Sequence, residues 1–168
     1  MVSWVQREAA GGGRLPHLIG AKGGDKGMDS SFKPVTTLFH CINALSGATS
    51  LDLSAWDSPE RRVIKLPCSA MLRDVHLLRA FEAGSDAVVV LTCPEGQCEN
   101  VSGNARAKKR VERVKKLLDD IRLDGRRLAL FSVSPEDEDA SAQIIRKALS
   151  DMEDLGPSPA RRVAVPRL

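Results

Sequence analysis

The sequence predicts an open, mainly parallel four-stranded α/β sheet with flanking helices, and three observations lead there. Short β-rich runs alternate with stretches of helical periodicity along the chain. One of those runs, Asp86 to Cys93, is apolar almost throughout and too short for most helices, as a parallel strand buried on both faces must be. Three of the four cysteines, Cys41, Cys68 and Cys93, stand at the ends of such runs, so parallel strands would deliver them to one carboxyl edge.

Taken in order, residues 1–34 contain a Gly-Gly-Gly run, a second Gly-Gly pair and scattered charges without a sustained period, which reads as a flexible or partner-wrapping leader. The folded domain is expected over 35–156. Val35 to Cys41 is β-branched and aromatic and follows Pro34, which suits a first strand. Arg62 to Leu66 supplies a second strand, stopped by Pro67 because proline removes a donor and restricts its predecessor.

Ser69 offers a cap for a crossover helix with Leu72, Val75, Leu78 and Phe81 on one face and Gly84 at its close. The buried strand to Cys93 follows. Asn104 to Ile121 has Val111, Val114, Leu117, Leu118 and Ile121 at helical spacing, and Arg127 to Val133 reads as the fourth strand. A last helix from Asp139 to Leu155 would bury Ile144, Ile145, Ala148, Leu149 and Met152, leaving 157–168 as an irregular tail. Residues Ala44 to Glu60 show no clear pattern.

Composition narrows the function. A chain of 168 residues with 42% hydrophobic and 28% charged residues and a net charge of +3 suits a single globular domain and argues little about partners. With no tyrosine and 4% aromatic residues, it lacks the stacking platform that single-stranded nucleic acids require. No apolar run approaches the roughly 20 residues of a membrane-spanning helix, and the N-terminus has no apolar signal core, so a soluble, cytoplasmic protein is expected. There, cysteines serve as ligands or redox groups more often than as disulfides.

Cys98 sits five residues beyond Cys93, and Pro94-Glu95-Gly96-Gln97 can fold back to bring a fourth thiol to the same edge. Packing of cysteine as a small hydrophobe and a Cys93–Cys98 disulfide are the plainer alternatives. Four thiolates suit either structural zinc or an iron-sulfur cluster. Zinc knuckles normally use two close pairs, whereas only Cys93 and Cys98 are close here, so spacing mildly favours a cluster. A zinc-stabilised interaction module and a dithiol redox protein using Cys93 and Cys98 stand as rivals.

Cys68-Ser69, the block from Leu78 to Val90, and Cys93-Pro94-Glu95-Gly96-Gln97-Cys98 with Gly103-Asn104 and Lys109-Arg110-Val111 after it form a recognisable series. On these residues the stretch from Val63 to Leu118 resembles the iron-sulfur delta subunit of methyl-viologen-reducing hydrogenase, whose family works beside heterodisulfide-reductase-like proteins. The resemblance implies a [2Fe-2S] cluster on Cys41, Cys68, Cys93 and Cys98. It also implies a role in anaerobic metabolism, relaying single electrons between an electron-input or catalytic oxidoreductase subunit and a flavin- and iron-sulfur-containing partner similar to the A-subunit of heterodisulfide reductase. Two departures are visible: Ala44 stands where the family's first cysteine pair has its second member, and Pro94-Glu95-Gly96-Gln97 replaces a usual His-Pro-Gly-Asp.

Arg106, Lys108, Lys109, Arg110, Arg113, Lys115 and Lys116 crowd the helix after the cysteine loop, opposed only by Glu112. Such a run is ordinarily a solvated face. Exposed cations in a helix's first turns, however, oppose its dipole at about 0.3–1 kcal/mol each, and Arg106, Lys109, Arg110 and Arg113 are candidates for docking an acidic partner. His40 alternates with Cys41 and should face away from it. The acidic run from Glu136 to Asp139 needs no more than favourable placement before a helix.

Overall fold

The computed structural model describes residues 33–45, 60–136 and 138–163. The leader, apart from its last two residues, and most of the segment before Glu60 lie outside the described residues. Seven elements carry the fold: β1 (Thr36–Cys41), β2 (Arg61–Leu66), α1 (Asp74–Glu82), β3 (Ala87–Thr92), α2 (Gly103–Asp120), β4 (Leu128–Ser132) and α3 (Glu138–Glu153). The four strands form one sheet in the order β2-β1-β3-β4. All three pairings are parallel, with Leu38 opposite both Val63 and Val89, and Val90 opposite Leu130. The open parallel α/β sheet expected from the alternating pattern is what forms.

Each face of the sheet has its own core. Phe39, Val88, Val90 and Leu128 pack with Leu77 and Phe81 of α1 and with Val111, Val114 and Leu118 of α2. On the other face, Leu38, Val89, Leu91 and Val133 pack with Ile145 and Ala148 of α3. Burial of β3 on both faces explains its unbroken apolar sequence, and each of its Val and Leu side chains contributes about 1.5–3 kcal/mol of transfer free energy. β2 is one of the two edge strands, half-exposed, and Arg61, Arg62 and Lys65 give it the charge that discourages edge-to-edge pairing.

Three local expectations change. No single helix runs from Ser69 to Gly84: a 3-10 turn over Ser69–Met71 is followed by extended backbone at Leu72 and Arg73 before α1 begins. The break moves the buried stripe of α1 to Leu77, Ala80 and Phe81, leaving Val75 exposed. In α2 the buried stripe is narrower than the apolar pattern: Ala107, Val111, Val114 and Leu118 are covered completely, while Leu117 on the flank of that stripe and Ile121 at the helix end are exposed. In α3, Ile145, Ala148 and Met152 are buried and Ile144 packs at the margin; the Leu149 side chain lies outside the described residues.

Past Gly156, where an irregular tail is expected, Pro159–Val163 forms a 3-10 turn. Its anchor is buried Asp86, at the amino edge of the sheet. Asp86 accepts hydrogen bonds from Val35 N (2.8 Å), Ser158 N (2.8 Å) and Arg161 Nη1 (3.0 Å). Arg127 donates to the carbonyls of Asp86, Leu155, Gly156 and Pro157 at 2.8–3.2 Å. A buried carboxylate and a buried guanidinium, each holding several hydrogen bonds although Arg127 Nε has no partner among the described residues, therefore fasten the segment to the domain.

Candidate thiolate site at the carboxyl edge

In the order β2-β1-β3-β4 the chain leaves β1 toward one side and returns to β3 on the other, so the topological switch lies between β1 and β3. Loops at that point diverge and open a crevice beyond the carboxyl ends. Cys41 ends β1 and Cys93 follows β3, and their sulfurs lie 3.8 Å apart. Both are buried, among Leu38, Ala44, Val89 and Leu91. Cys68 follows β2 and caps the 3-10 turn, its sulfur accepting from Ala70 N at 3.4 Å. Cys98 closes the loop after β3, whose turn is made by Gln97 N donating to Pro94 O and by Gly96 at φ +79°.

Cys68 and Cys98 meet over Gly103, the first residue of α2. A Cβ there would stand 2.6 Å from the Cys68 sulfur and 3.2 Å from that of Cys98, so only glycine leaves room for both. The four thiols thus gather as two pairs, Cys41 with Cys93 and Cys68 with Cys98. All four are free, with no disulfide between Cys93 and Cys98. Among the described residues no three His, Cys, Asp or Glu side chains close tightly on one point as a single ion would require. Two sulfurs bound tetrahedrally to one metal at about 2.3 Å are about 3.8 Å apart, the spacing of Cys41 and Cys93.

Electrostatics differ between the pairs. Burial, with the neighbouring Cys41 and Cys98 sulfurs adding to it, pushes the Cys93 thiol up to about 12. Burial also acts on Cys98, but the N–H groups of Asn104, Asn100 and Gly103 and the thiol of Cys68 outweigh it and hold Cys98 below the ordinary thiol value. Those amides belong to the approach and first turn of α2, where the helix favours negative charge. The site therefore has a thiolate-stabilising end at Cys98 and a dry end at Cys93.

Two side chains hold the ligand loops. Asn104 donates from Nδ2 to the carbonyls of Cys93 (3.2 Å) and Pro94 (2.8 Å), tying the start of the Cys93–Cys98 loop to α2. Arg110, further along α2, donates from Nη1 to the carbonyls of Ala70 (2.5 Å) and Leu72 (2.6 Å) and so clamps the turn that carries Cys68. Neither role was legible from composition alone; the Gly-Asn pair opening a helix five residues past a cysteine is the signal that points to the first. His40 is buried, and its Nδ1 donates to Cys41 O at 3.3 Å, with burial drawing its pKa down.

The basic residues of α2 divide by geometry. Arg110 turns inward, Arg113 pairs with Asp74 at 2.9 Å, and Lys108 lies 3.5 Å from Glu95. Arg106 and Lys109 are exposed and enter no salt bridge among the described residues.

A parallel sheet whose strand ends converge four cysteines beside a glycine-opened helix defines a domain built around a thiolate site, with the helix terminus as part of it. The profile of the methyl-viologen-reducing hydrogenase delta subunit family matches residues 38–156, and the chain belongs to that family. It is 33% identical over 130 residues, 76% of its length, to the vhu iron-sulfur D-subunit of F420-non-reducing hydrogenase from Methanocaldococcus jannaschii, covering 97% of that protein. The counterpart from Methanococcus maripaludis is 31% identical over 131 residues, 77% of this chain and 98% of that one. A different kind of relative is the A-subunit of ferredoxin:CoB-CoM heterodisulfide reductase from Methanosarcina mazei, 32% identical over 96 residues, which are 57% of this chain but 12% of that protein. Among the described residues no helix is long and apolar enough to cross a membrane.

Proposed function

We propose that this chain is an electron-transfer subunit carrying one [2Fe-2S] cluster on Cys41, Cys68, Cys93 and Cys98. The observation that carries the reading is the convergence of four free thiols from three strand ends as two adjacent pairs, with Gly103 leaving space between Cys68 and Cys98. Two thiolates per iron is what a [2Fe-2S] centre with four cysteine ligands needs. When bound, such a cluster takes up and returns single electrons.

The protein's own groups would hold and tune it. Asn104 and Arg110 set the positions of the two ligand loops, and the amides of Asn100, Gly103 and Asn104 direct hydrogen-bond donors at the Cys98 sulfur. Donors to sulfur and solvent access are among the levers that set a cluster's potential.

Partnership is supported by the match to heterodisulfide reductase. A segment resembling this one forms part of that enzyme's A-subunit in Methanosarcina mazei. This domain would dock on a flavin- and iron-sulfur-containing protein of that type and pass electrons between it and an electron-input oxidoreductase subunit. Of the four candidate docking cations, Arg106 and Lys109 have no salt bridge among the described residues and are available for such docking, while Arg110 and Arg113 are engaged within the domain.

The test is anaerobic purification with iron, sulfide and zinc analysis, then absorption and electron paramagnetic resonance before and after dithionite. About two irons and two sulfides per chain with a reducible signal that Cys68→Ala removes are expected. Stoichiometric zinc without a redox signal would make the site a structural one, and dithiol exchange by Cys93 and Cys98 in a metal-free chain would make it a thiol redox protein.

A further inference from the structure

We propose that the rim formed by Met71, Val101 and Arg106 over the Cys68 side of the thiol site is where the electron-exchange partner docks, through an apolar contact flanked by carboxylate. The proposal rests on the electron-transfer reading and adds the place and chemistry of the contact. A cavity of about 420 Å³ opens here, with Pro67, Cys68, Met71, Gly103 and Arg106 in its wall. It is thus an open approach to one of the four sulfurs.

Three features meet on this rim, two of them locally unfavourable. Val101 is β-branched yet held at φ +58°, a left-handed conformation that such residues rarely adopt, and it is 90% exposed. It stands between Asn100 and Ser102, both in the cavity wall, and its N–H is tied to Cys98 O at 2.8 Å. Met71 is an exposed, adaptable apolar side chain on the turn that carries Cys68. Arg106 sits in the first turns of α2, where a cation opposes the helix dipole, with no salt bridge among the described residues.

A left-handed β-branched residue, an exposed apolar side chain and a cation without a salt bridge among the described residues, coinciding at the open approach to a sulfur, are where function is sought. An apolar partner surface would cover Val101 and Met71, and a partner carboxylate would answer Arg106. A second copy of this chain is a poorer occupant, since a two-fold contact about this rim sets Arg106 against its own counterpart.

Val101→Gly separates docking from folding. With the full-length chain and its cluster assembled, the variant is expected to keep Tm within about 4 °C of wild type, because relief of the left-handed backbone is offset by the freedom glycine gives the unfolded chain. Its affinity for the same organism's protein of the heterodisulfide reductase A-subunit type should fall about tenfold or more, with the cluster spectrum unchanged. Arg106→Glu should weaken binding similarly and flatten its dependence on salt. Unchanged affinity in both variants overturns the docking surface, as does an altered cluster spectrum in Val101→Gly, which would mean that Val101 shapes the ligand loop rather than a partner contact. A dimer of the chain that dissociates on Val101→Gly would make a second copy the occupant and overturn the partner assigned. If the wild-type chain with an intact cluster spectrum does not bind the heterodisulfide-reductase-like protein, that partner and this surface fall together while the cluster stands; if no cluster assembles, the electron-transfer reading itself is lost.

Discussion

Replacing Gly103 by alanine tests the geometry of the site most sharply. The added methyl would lie 2.6 Å from the Cys68 sulfur, against about 3.5 Å or more for comfortable contact, so that sulfur must withdraw by about 1 Å. Cys98, at 3.2 Å, must also give slightly. Metal–ligand distances tolerate about 0.2 Å, so a shift of this size is enough to take Cys68 out of the proposed ligand set. The fold should survive. Alanine gains about 0.5–1 kcal/mol over glycine within a helix, which offsets part of an overpacking cost of about 1–3 kcal/mol. The expected result is a chain with native circular dichroism, a melting free energy within about 2 kcal/mol of wild type, and iron content after anaerobic reconstitution reduced at least to half. Gly96→Ala is the control, because nothing lies within 4 Å of the methyl it adds; it strains a loop backbone at φ +79° without touching a thiol. Full iron occupancy and an unaltered spectrum in Gly103→Ala would show that Cys68 and Cys98 do not meet over α2, and the paired arrangement would have to be given up.

Two further predictions concern the supports of the site and the acid limit of the fold. Arg110→Met removes two hydrogen bonds to the carbonyls of Ala70 and Leu72, and should cost about 1.5–3 kcal/mol in chemical denaturation while making the Cys68 thiol of the metal-free chain react faster with an alkylating reagent; equal reactivity would deny that Arg110 clamps the loop. Asp124 is held below its ordinary 3.8 by hydrogen bonds from Arg126, which outweigh burial. A depressed carboxylate contributes stability that is present above its unfolded value and lost as pH falls through its folded one, so the wild-type chain should lose stability below about pH 3.8 more steeply than Asp124→Asn, which keeps the cap and the φ +70° backbone without the charge. Parallel acid limbs in the two melting series would refute this.

What the sequence by itself determined is the set of patterns that are local in their cause. The apolar run of β3 requires a strand covered on both sides, alternation of strands with helices requires crossovers, and cysteines at three strand ends then fall on one edge because parallel strands share a direction. Leu66-Pro67-Cys68 and Thr92-Cys93 were readable as strand ends for the same reason, since proline and the change of pattern act on neighbouring backbone. Helix stripes were readable only in part: Leu117 and Ile121 have the right period in α2, but how wide a stripe is covered depends on the elements packed against it, and these two are left exposed on its flank and at the helix end. The break between Ser69–Met71 and α1 was hidden because Cys68 itself caps the turn, a role in which a thiol is not a recognised signal.

Tertiary structure alone decided which sulfurs pair. Cys41 and Cys93 meet across 52 residues of chain because the strand order puts β1 beside β3, and nothing in their spacing encodes that order. In the same way Arg110, read from sequence as one of a row of surface cations, points inward to carbonyls 38 and 40 residues away, and Asp86 reaches Arg161 across 75. Local preference acts over a few residues through backbone sterics and side-chain entropy. Contacts between distant segments are set by which elements pack together, and it is those contacts that turned four separated thiols into a site.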